Sequence, residues 1–333
     1  MLTLFAAVAA AVAQPPPIID MHFHALGAAD QGPPPTTVCA PYENWPIRDP
    51  VKPIDIYMKD FMGSPDCRRK ITSPMTDAEL NRRNVEALNR RNMIAVTSGE
   101  PDRVALLHKL APERVIEAVA FGEASWPALD QLRALHKAGR LHVMGEILTQ
   151  YGGTAPDSTK LEPYYALAEE LDIPVAIHIG PGPPGVVYFG SSNYRMRLSN
   201  PLALEDVLTR HPRLRLYVMH SGWPMGDQMI GLLYSYPQVY VDVGVIDWVL
   251  PSAEFESYIK RLVEAGFGKR IMFGSDQMVW PDAIEIAVRN IQQLRFLTPL
   301  QKRDILYNNA ARFLRLEHSS PAPATRPNPR RGK

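Results

Sequence analysis

Short apolar runs rich in β-branched residues recur along the chain, and a stretch long enough for a helix separates each run from the next. This alternation is typical of βαβ units in an α/β protein with a parallel sheet. The intervening segments TDAELNRRNVEALNR and LEPYYALAEEL support it, because their apolar residues recur at three- and four-residue spacing. Eight runs in series predict a closed (β/α)8 TIM barrel. They span residues 17–24, 93–99, 114–122, 142–148, 174–180, 215–222, 239–245 and 270–276.

Two segments lie outside this alternation. Residues 25–75 are rich in Pro and Gly and form a long insertion after the first strand, which we expect to cover the barrel mouth. The insertion holds both cysteines, Cys39 and Cys67, and the sequence leaves open whether they are bridged or free, because loop geometry decides. The tail, residues 317–333, is Pro-rich, basic and without periodicity, so we expect it to be disordered.

The chain begins with an uncharged apolar stretch that ends in Ala11-Val12-Ala13. Its length and small-x-small ending predict a signal peptide over residues 1–13, and it is too short to span a bilayer. It lacks the Lys or Arg that usually precedes such a run, which a truncated or misassigned start would explain. A frayed N-terminal helix is the alternative to a signal peptide. The prediction places the barrel domain at residues 14–316 and the protein in the periplasm or outside the cell.

The overall charge gives no reason to expect a polyanionic partner. The 333 residues are 46% hydrophobic and carry a formal net charge of +1. We therefore expect neither nucleic acid nor an acidic membrane surface as a partner, and no later segment resembles a membrane span. A small-molecule substrate is the predicted partner, and the oligomeric state, including a homo-oligomer, stays open.

Polar residues stand near the ends of several predicted strands, among side chains that otherwise look fully buried. Burying one such group without a partner costs roughly 2–7 kcal/mol. His178 or His220 alone fits a core histidine bonded to a backbone carbonyl, and Glu146 alone fits a helix cap or an arginine partner. Together the residues fit an ion at the carboxyl end of the barrel. Imidazole and carboxylate ligands suit Zn²⁺ or a similar transition metal. The predicted ligands are His22, His24, Glu146, His178, His220 and Asp276.

The motifs DMHFH, GEI, AIHIG, VMHSG and FGSD, in this order, resemble the amidohydrolase superfamily and within it the amidohydrolase-related ("amidohydrolase 2") branch. The resemblance covers residues 17 to about 316 and implies a distorted (β/α)8 barrel with a metal at its C-terminal mouth. It implies that His22 and His24 are ligands from the first strand and His178 from the fifth. It also implies that His220 is the sixth-strand histidine and that Asp276 both binds metal and acts in catalysis.

Glu146 separates two versions of this site. By the resemblance, one version holds a single metal with His22, His24, His178 and Asp276, and leaves Glu146 as a hydrogen-bond partner of a ligand. The other version has two metals, with a bridging carboxylate from the fourth strand. Glu146 stands where that bridge would come from, and the sequence leaves both versions open.

Hydrolysis of a small amide, ester or lactone is the main functional prediction, because a metal supplies an activated water and polarises a carbonyl. Asp276 would move the proton, and His220, if not a ligand, would stabilise the oxyanion. The alternative is a non-oxidative decarboxylase of the same branch, with Arg195 or Arg197 holding a carboxylate. A non-catalytic binding barrel is the third hypothesis. The six predicted ligands argue against it, because a structural metal site needs only four.

Aromatic residues follow several of the predicted strands, where substrate-facing loops begin. The predicted substrate-binding residues are Tyr151, Tyr188, Arg195, Trp223 and Trp280. Ordinary packing beneath the loops is the alternative for the aromatic residues. Asp242, in VYVDVG, is either a residue of the mouth or a buried hydrogen-bond acceptor.

Overall fold

The structure is a computed structural model that describes residues 14–122 and 125–316. The predicted leader and the predicted tail lie outside these residues. The strands, in chain order, are β1 (Ile18–Ala25), β2 (Thr37–Cys39), β3 (Lys70–Thr72), β4 (Met93–Gly99), β5 (Val115–Gly122), β6 (Val143–Leu148), β7 (Val175–His178), β8 (Leu216–Met219), β9 (Tyr240–Asp242) and β10 (Ile271–Met272).

Eight of these strands form one sheet in the order β1-β4-β5-β6-β7-β8-β9-β10, and all neighbours are parallel. Backbone hydrogen bonds join the first and last strands across the remaining seam. The Met21 N–H donates to the Phe273 carbonyl at 2.9 Å, and the Asp276 N–H donates to the His22 carbonyl at 2.6 Å. The sheet therefore forms a nearly closed barrel, which confirms the predicted fold.

Helices connect successive barrel strands. The longest, α2, begins after Thr76, whose side chain accepts a hydrogen bond from the Glu79 N–H, and it buries Leu80, Ala87 and Leu88. The α-helices are α1 (Ile54–Met58), α2 (Asp77–Arg90), α3 (Pro101–Leu110), α4 (Leu129–Lys137), α5 (Glu162–Glu170), α6 (Val186–Phe189), α7 (Glu205–Arg210), α8 (Gly226–Ser235), α9 (Ile246–Val249), α10 (Ser252–Leu262), α11 (Asp282–Gln293), α12 (Pro299–Arg303) and α13 (Asn309–Leu314). No helix in the described part of the chain is long and apolar enough to cross a bilayer.

Alternation along each strand separates two apolar layers. In β7, Val175 and Ile177 pack in the layer between sheet and helices, whereas Ala176 packs in a second cluster to which most barrel strands contribute. Because side chains two apart share a face, His178 projects into the barrel interior above Ala176. Phe313 of α13 packs against the interior cluster.

The long insertion contains the antiparallel pair β2 and β3 and the helix α1. A disulfide joins Cys39 to Cys67 with a Cα–Cα distance of 5.9 Å. Of the two possibilities that the sequence left open, the two cysteines are therefore bridged. The Tyr57 hydroxyl donates to the Pro184 carbonyl at 3.0 Å, after β7. The Tyr42 N–H donates to the carbonyl of Val249, after β9. The insertion is therefore attached to loops at the carboxyl ends of the barrel strands.

Candidate metal centre

Six polar side chains from five barrel strands or the residues that follow them meet inside the barrel mouth. None is more than 7% exposed. Their potential ligand atoms form two adjoining groups of three, each within 4.8 Å. The structure thus brings together all six predicted ligands: His22, His24, Glu146, His178, His220 and Asp276.

The first group consists of His22, His24 and Asp276. Nε2 of His24 lies 2.9 Å from Oδ1 of Asp276, and Nε2 of His22 lies 3.7 Å from the same oxygen. Both histidines come from β1, and their ring centroids are 5.1 Å apart. Asp276 follows β10, so the seam of the barrel brings this group together.

The second group consists of Glu146, His178 and His220. Nδ1 of His178 lies 2.7 Å from Oε1 of Glu146 and 2.9 Å from Nε2 of His220. Nε2 of His220 is 3.8 Å from the same Glu146 oxygen. These residues come from β6, β7 and the turn after β8, which are consecutive in the sheet.

Glu146, a member of the second group, also faces the first group. Its Oε2 is 3.6 Å from Nε2 of His22 and 3.5 Å from Nε2 of His24, whereas its Oε1 faces His178. The preceding glycine permits this position, because a Cβ on Gly145 would lie 2.4 Å from the Cβ of Ala176 on β7. One carboxylate therefore offers one oxygen to each group.

Contacts at the outer ring nitrogens orient two of the histidines, and one of these contacts is a hydrogen bond. Nδ1 of His220 lies 2.9 Å from the Gly244 carbonyl, which can only accept, so Nδ1 carries the proton and the Nε2 lone pair faces the centre. Nδ1 of His22 lies 3.3 Å from Oδ2 of Asp242, whose negative charge favours a proton on Nδ1, although the two atoms form no hydrogen bond. Within residues 14–122 and 125–316, both ring nitrogens of His22 and Nε2 of His178 have no hydrogen-bond partner.

This set of atoms fits a divalent cation. Nε2 of the buried His22 ring faces oxygens of Glu146 and Asp276 at 3.6 and 3.7 Å with no hydrogen bond, and such electron-rich groups repel one another unless positive charge lies between them. Imidazole nitrogen and carboxylate oxygen are the ligands of catalytic zinc and related ions. The fit extends to the outer ring nitrogens, because ligand histidines usually direct their other N–H to a carboxylate or carbonyl, as His220 does to the Gly244 carbonyl and His22 to the Asp242 carboxylate.

The electrostatics of the cluster also favour a cation. Burial lowers the pKa of His22, but the charges of Asp276, Asp242 and Glu146 outweigh burial and raise this pKa well above its usual value. Burial raises the pKa of Asp276, but His22 and a hydrogen bond with His24 outweigh it and lower this pKa to about 2. Positive charge is therefore stabilised at the His22 ring, and Asp276 is ionised at neutral pH.

Two acidic residues position the ligands. Oδ1 of Asp242 accepts hydrogen bonds from the N–H groups of His220 and Gly244 at 3.1 and 2.9 Å, so Asp242 is the buried acceptor rather than a residue of the mouth. Oδ1 of Asp20 accepts from the His22 N–H at 3.0 Å, and burial raises the pKa of Asp20 to about 7. Asp20 was missed as a site residue, although a carboxylate inside an apolar strand is the signal that identified the others.

Two glutamines were also missed. The Gln277 amide exchanges two hydrogen bonds with the backbone of His24, at 2.8 and 3.0 Å. The Gln150 amide donates to the His178 carbonyl. Both side chains are 2% exposed or less, and each fixes the backbone of a ligand histidine.

The backbone is unusual at two of the ligands. His220 has a φ of +58° and Asp276 a φ of +44°, although neither is glycine. Such conformations cost of order 1–3 kcal/mol each and persist only where the surroundings enforce them. The Asp242 carboxylate and the His22 carbonyl hold the two N–H groups, so the site itself supplies this enforcement.

Of the predicted substrate-binding residues, Tyr151 lies beside the centre, with its ring centroid 5.2 Å from that of His178. Arg195 lines a cleft next to Tyr151, together with Gly152 and Gly153. Tyr188 is 59% exposed, and its ring packs under the Arg48 guanidinium at 4.4 Å.

The two tryptophans have contacts typical of packing. Trp280 is 2% exposed, and its indole N–H donates to the Thr36 carbonyl at 3.0 Å, which anchors the base of the insertion. The indole N–H of Trp223 donates to Glu254 at 2.9 Å. For Trp280, the structure places the side chain in the core and not on the surface of the mouth.

Comparison with known proteins gives a consistent result. The profile of the amidohydrolase family matches residues 19–316. The chain is 22% identical over 166 residues to protein fluG of Emericella nidulans, a match that covers 45% of this chain and only 18% of that protein's length.

Solved structures share the fold. One is a probable 2-pyrone-4,6-dicarboxylic acid hydrolase from Acinetobacter baumannii with citric acid bound (15% identity, TM-score 0.56, covering 89% of this chain and 98% of that one). Another is a 2,6-dihydroxybenzoate decarboxylase complexed with 2,6-dihydroxybenzoate (14% identity, TM-score 0.53, covering 91% and 100%). At these identities the similarity shows the fold alone, whereas the family match extends from the first strand to the last helix. The chain therefore belongs to the amidohydrolase family of metal-dependent enzymes with a TIM-barrel fold.

Proposed function

We propose that this protein is a hydrolase that cleaves an amide, ester or lactone bond of a small molecule with the aid of bound divalent cations. The observation that carries the proposal is the position of Glu146, whose two oxygens face two groups of buried ligand atoms. The cluster lies at the carboxyl end of the barrel, which is where TIM-barrel enzymes have their active sites.

The proposed cofactor is zinc, because the ligand atoms are imidazole nitrogens and carboxylate oxygens. His22, His24 and Asp276 would hold one ion, His178 and His220 the other, and Glu146 both. A divalent cation bound there would lower the pKa of a water to about 7 and polarise a substrate carbonyl.

Asp276 is the proposed proton carrier. Its carboxylate is ionised at neutral pH, so an oxygen is available to accept the proton of the attacking water and to pass it to the leaving group. Its 2.9 Å contact with Nε2 of His24 orients the carboxylate. The ring of Tyr151, packed on His178, forms one wall of the space in which the substrate would lie.

Decarboxylation of a small carboxylate is the second candidate function. The observation that favours it is a pair of arginines, Arg195 and Arg197, in a cleft beside Tyr151. A structure with the same fold is a decarboxylase complexed with an aromatic carboxylate. In that reaction a protonated Asp276 or His220 would deliver a proton to carbon.

A substrate screen with zinc-loaded protein tests the proposal. Esters, lactones and amides are assayed for hydrolysis and aromatic carboxylates for release of carbon dioxide. We expect hydrolysis that falls at least about 100-fold in Asp276→Asn, because a positioned general base contributes about 10²–10⁴ in rate. Asp282→Asn, at a largely exposed helix start, is the control and should keep full activity. Carbon dioxide release without hydrolysis would support the second candidate instead.

We also propose that the protein acts in the periplasm or outside the cell. The predicted signal peptide motivates this proposal, and the Cys39–Cys67 disulfide supports it, because disulfides persist mainly in oxidising compartments. A hydrolase in that location would act on compounds that have not yet entered the cytoplasm.

A further inference from the structure

The first barrel strand contains a β-bulge at the point where it enters the metal centre. Between Asp20 and Phe23, three residue steps of β1 lie opposite two residue steps of β4. One extra residue is therefore inserted in β1, at Met21 and His22. Bulges of this kind re-aim the side chains that follow them and are common beside active sites.

The bulge reverses which side chains of β1 face the barrel interior. Before it, the odd-numbered residues Ile19 and Met21 pack in the interior cluster, as alternation along a strand requires. After it, the odd-numbered Phe23 packs in the outer layer between sheet and helices. The even-numbered His22 and His24 therefore face the interior. Without the extra residue, alternation would turn both histidines toward the helices and away from the centre.

The polar backbone groups of the bulge have partners on other parts of the barrel. Bonds across the barrel seam hold the Met21 N–H and the His22 carbonyl, and the Asp20 carboxylate accepts from the His22 N–H. The fourth group, the Met21 carbonyl, accepts a hydrogen bond from the Tyr217 hydroxyl at 2.8 Å. Tyr217 comes from β8, three strands from β1 by way of β9 and β10, so this bond crosses the barrel interior.

The Tyr217 side chain is itself fixed in the core. It is fully buried, and its ring makes an edge-to-face contact with Phe313 of α13, at a centroid distance of 5.5 Å. Burial raises the pKa of its hydroxyl well above the usual value, and the charges of Asp242, Glu146 and Asp20 add to this effect. The hydroxyl therefore keeps its proton, which it donates to the Met21 carbonyl.

We propose that Tyr217 is a positioning residue of the metal centre, whose hydroxyl holds the bulge that turns His22 and His24 into the barrel. The inference rests on the metal centre of the proposed function and not on the bond that is cleaved. Tyr217 also lies three residues before His220, so one side chain relates the β1 ligands to the ligand after β8. Loss of the hydroxyl would remove this partner from the buried Met21 carbonyl, and a shift of the bulge toward another donor would move both β1 rings.

The variant Tyr217→Phe tests the inference, because it keeps the ring and removes only the hydroxyl. Zinc is titrated into wild type and variant against a competing chelator. We expect the affinity for the ion at His22 and His24 to fall about 10- to 100-fold, as for other partners that orient ligand histidines. Protein loaded with cobalt gives a second readout, since its visible absorption bands depend on ligand geometry and should change in the variant. The circular dichroism of the variant should equal that of wild type.

Tyr165→Phe is the matched control, because Tyr165 is also fully buried and its hydroxyl also donates to a backbone carbonyl, that of Pro156, at 2.6 Å. Both variants should lower the thermal transition, but only Tyr217→Phe should change the zinc affinity and the cobalt bands. Unchanged zinc affinity in Tyr217→Phe would overturn the inference, as would an equal loss of affinity in both variants. Neither readout requires turnover, so the inference can fail while the hydrolase proposal stands. A substrate screen without hydrolysis would contradict the hydrolase proposal and would change neither readout.

Discussion

Oδ2 of Asp242 lies 3.3 Å from Nδ1 of His22, so a fully buried carboxylate faces the ring nitrogen that points away from the metal centre. The other oxygen of Asp242 accepts the backbone N–H of His220. One carboxylate thus favours a proton on the outer nitrogen of a ligand from β1 and fixes the backbone position of a ligand after β8. This coupling between distant strands makes Asp242 a positioning residue of the centre.

Replacing Asp242 with Asn should weaken metal binding while the fold is kept. If the amide oxygen stays on the two backbone N–H groups, the amide NH2 faces Nδ1 of His22 and disfavours a proton there. The ring then carries its proton on Nε2, where the cation would bind. We expect zinc affinity to fall by about 10- to 100-fold, as is typical for such partners of ligand histidines.

A zinc titration of Asp242→Asn against a competing chelator measures this effect. Asp227→Asn is the control, because the Asp227 side chain is 81% exposed and pairs only with Arg261 among the described residues. Unchanged affinity in Asp242→Asn would show that the tautomer of His22 is set elsewhere.

The double variant His22→Ala/His24→Ala should lose both metal and activity, because it removes two neighbouring ligands of the first group. Elemental analysis of the purified variant measures the metal per chain. His142→Ala serves as the control, since His142 is exposed and its ring bonds to the Gly139 carbonyl. Stoichiometric metal in the double variant would contradict the site as assigned.

The barrel was predictable because each strand is a buried apolar run with a helix after it. The residues at which the strands end were less predictable. The apolar run at 215–222 corresponds to β8 over Leu216–Met219 only, because His220 and Ser221 adopt positive φ and leave the ladder. The last strand is shorter than predicted for a related reason: beyond Met272 the chain bonds to β1 through Phe273 and Asp276 outside a regular ladder.

The ligand cluster was predictable because its polar residues interrupt apolar strands, and this signal is visible in a single sequence. The residues that orient the ligands carry a weaker signal. Gln277 bonds to the backbone of His24 across 253 residues, a contact that depends on the closure of the barrel. The role of Trp280 was also not predictable from the sequence, because an aromatic residue after a strand packs equally well beneath a loop or against a substrate.

Reduction of the Cys39–Cys67 disulfide should destabilise the insertion. The bridge closes a segment with a sequence separation of 28, for which chain entropy predicts about 3–4 kcal/mol. We expect a mass increase of two hydrogens on reduction and a lower thermal transition. The variant Cys39→Ser/Cys67→Ser should melt like the reduced protein and should not respond to reductant. An unchanged mass would contradict the disulfide.

Expression of the full chain in a host that processes signal peptides should yield a mature N-terminus near Gln14, after the small residues Ala11 and Ala13. N-terminal sequencing of the soluble protein measures this. Ala13→Arg places a large charged residue at the predicted cleavage site and should leave the leader attached. An intact Met1 on cytoplasmic wild-type protein would contradict export.

Glu146→Gln should distinguish a centre with two ions from a centre with one. If the Glu146 carboxylate is shared, the substitution removes the only negative ligand of the second ion, which would otherwise be held by the neutral rings of His178 and His220. Metal content should then fall from about two ions per chain toward one. The first ion should persist, because Asp276 supplies its own negative charge beside His24.

The alternative arrangement gives a different result for the same variant. With one ion on His22, His24, His178 and Asp276, Glu146→Gln disturbs only a hydrogen bond of a ligand, for which losses of about 10- to 100-fold in affinity are typical. A wild-type stoichiometry of one, unchanged in the variant at saturating zinc, would therefore exclude the bridge. The hydrolytic proposal would survive that outcome, since one ion beside Asp276 still supplies both the activated water and the proton acceptor. We expect two ions, because the Glu146 oxygens divide between the two groups of ligands, with Oε1 toward His178 and Oε2 toward the β1 histidines.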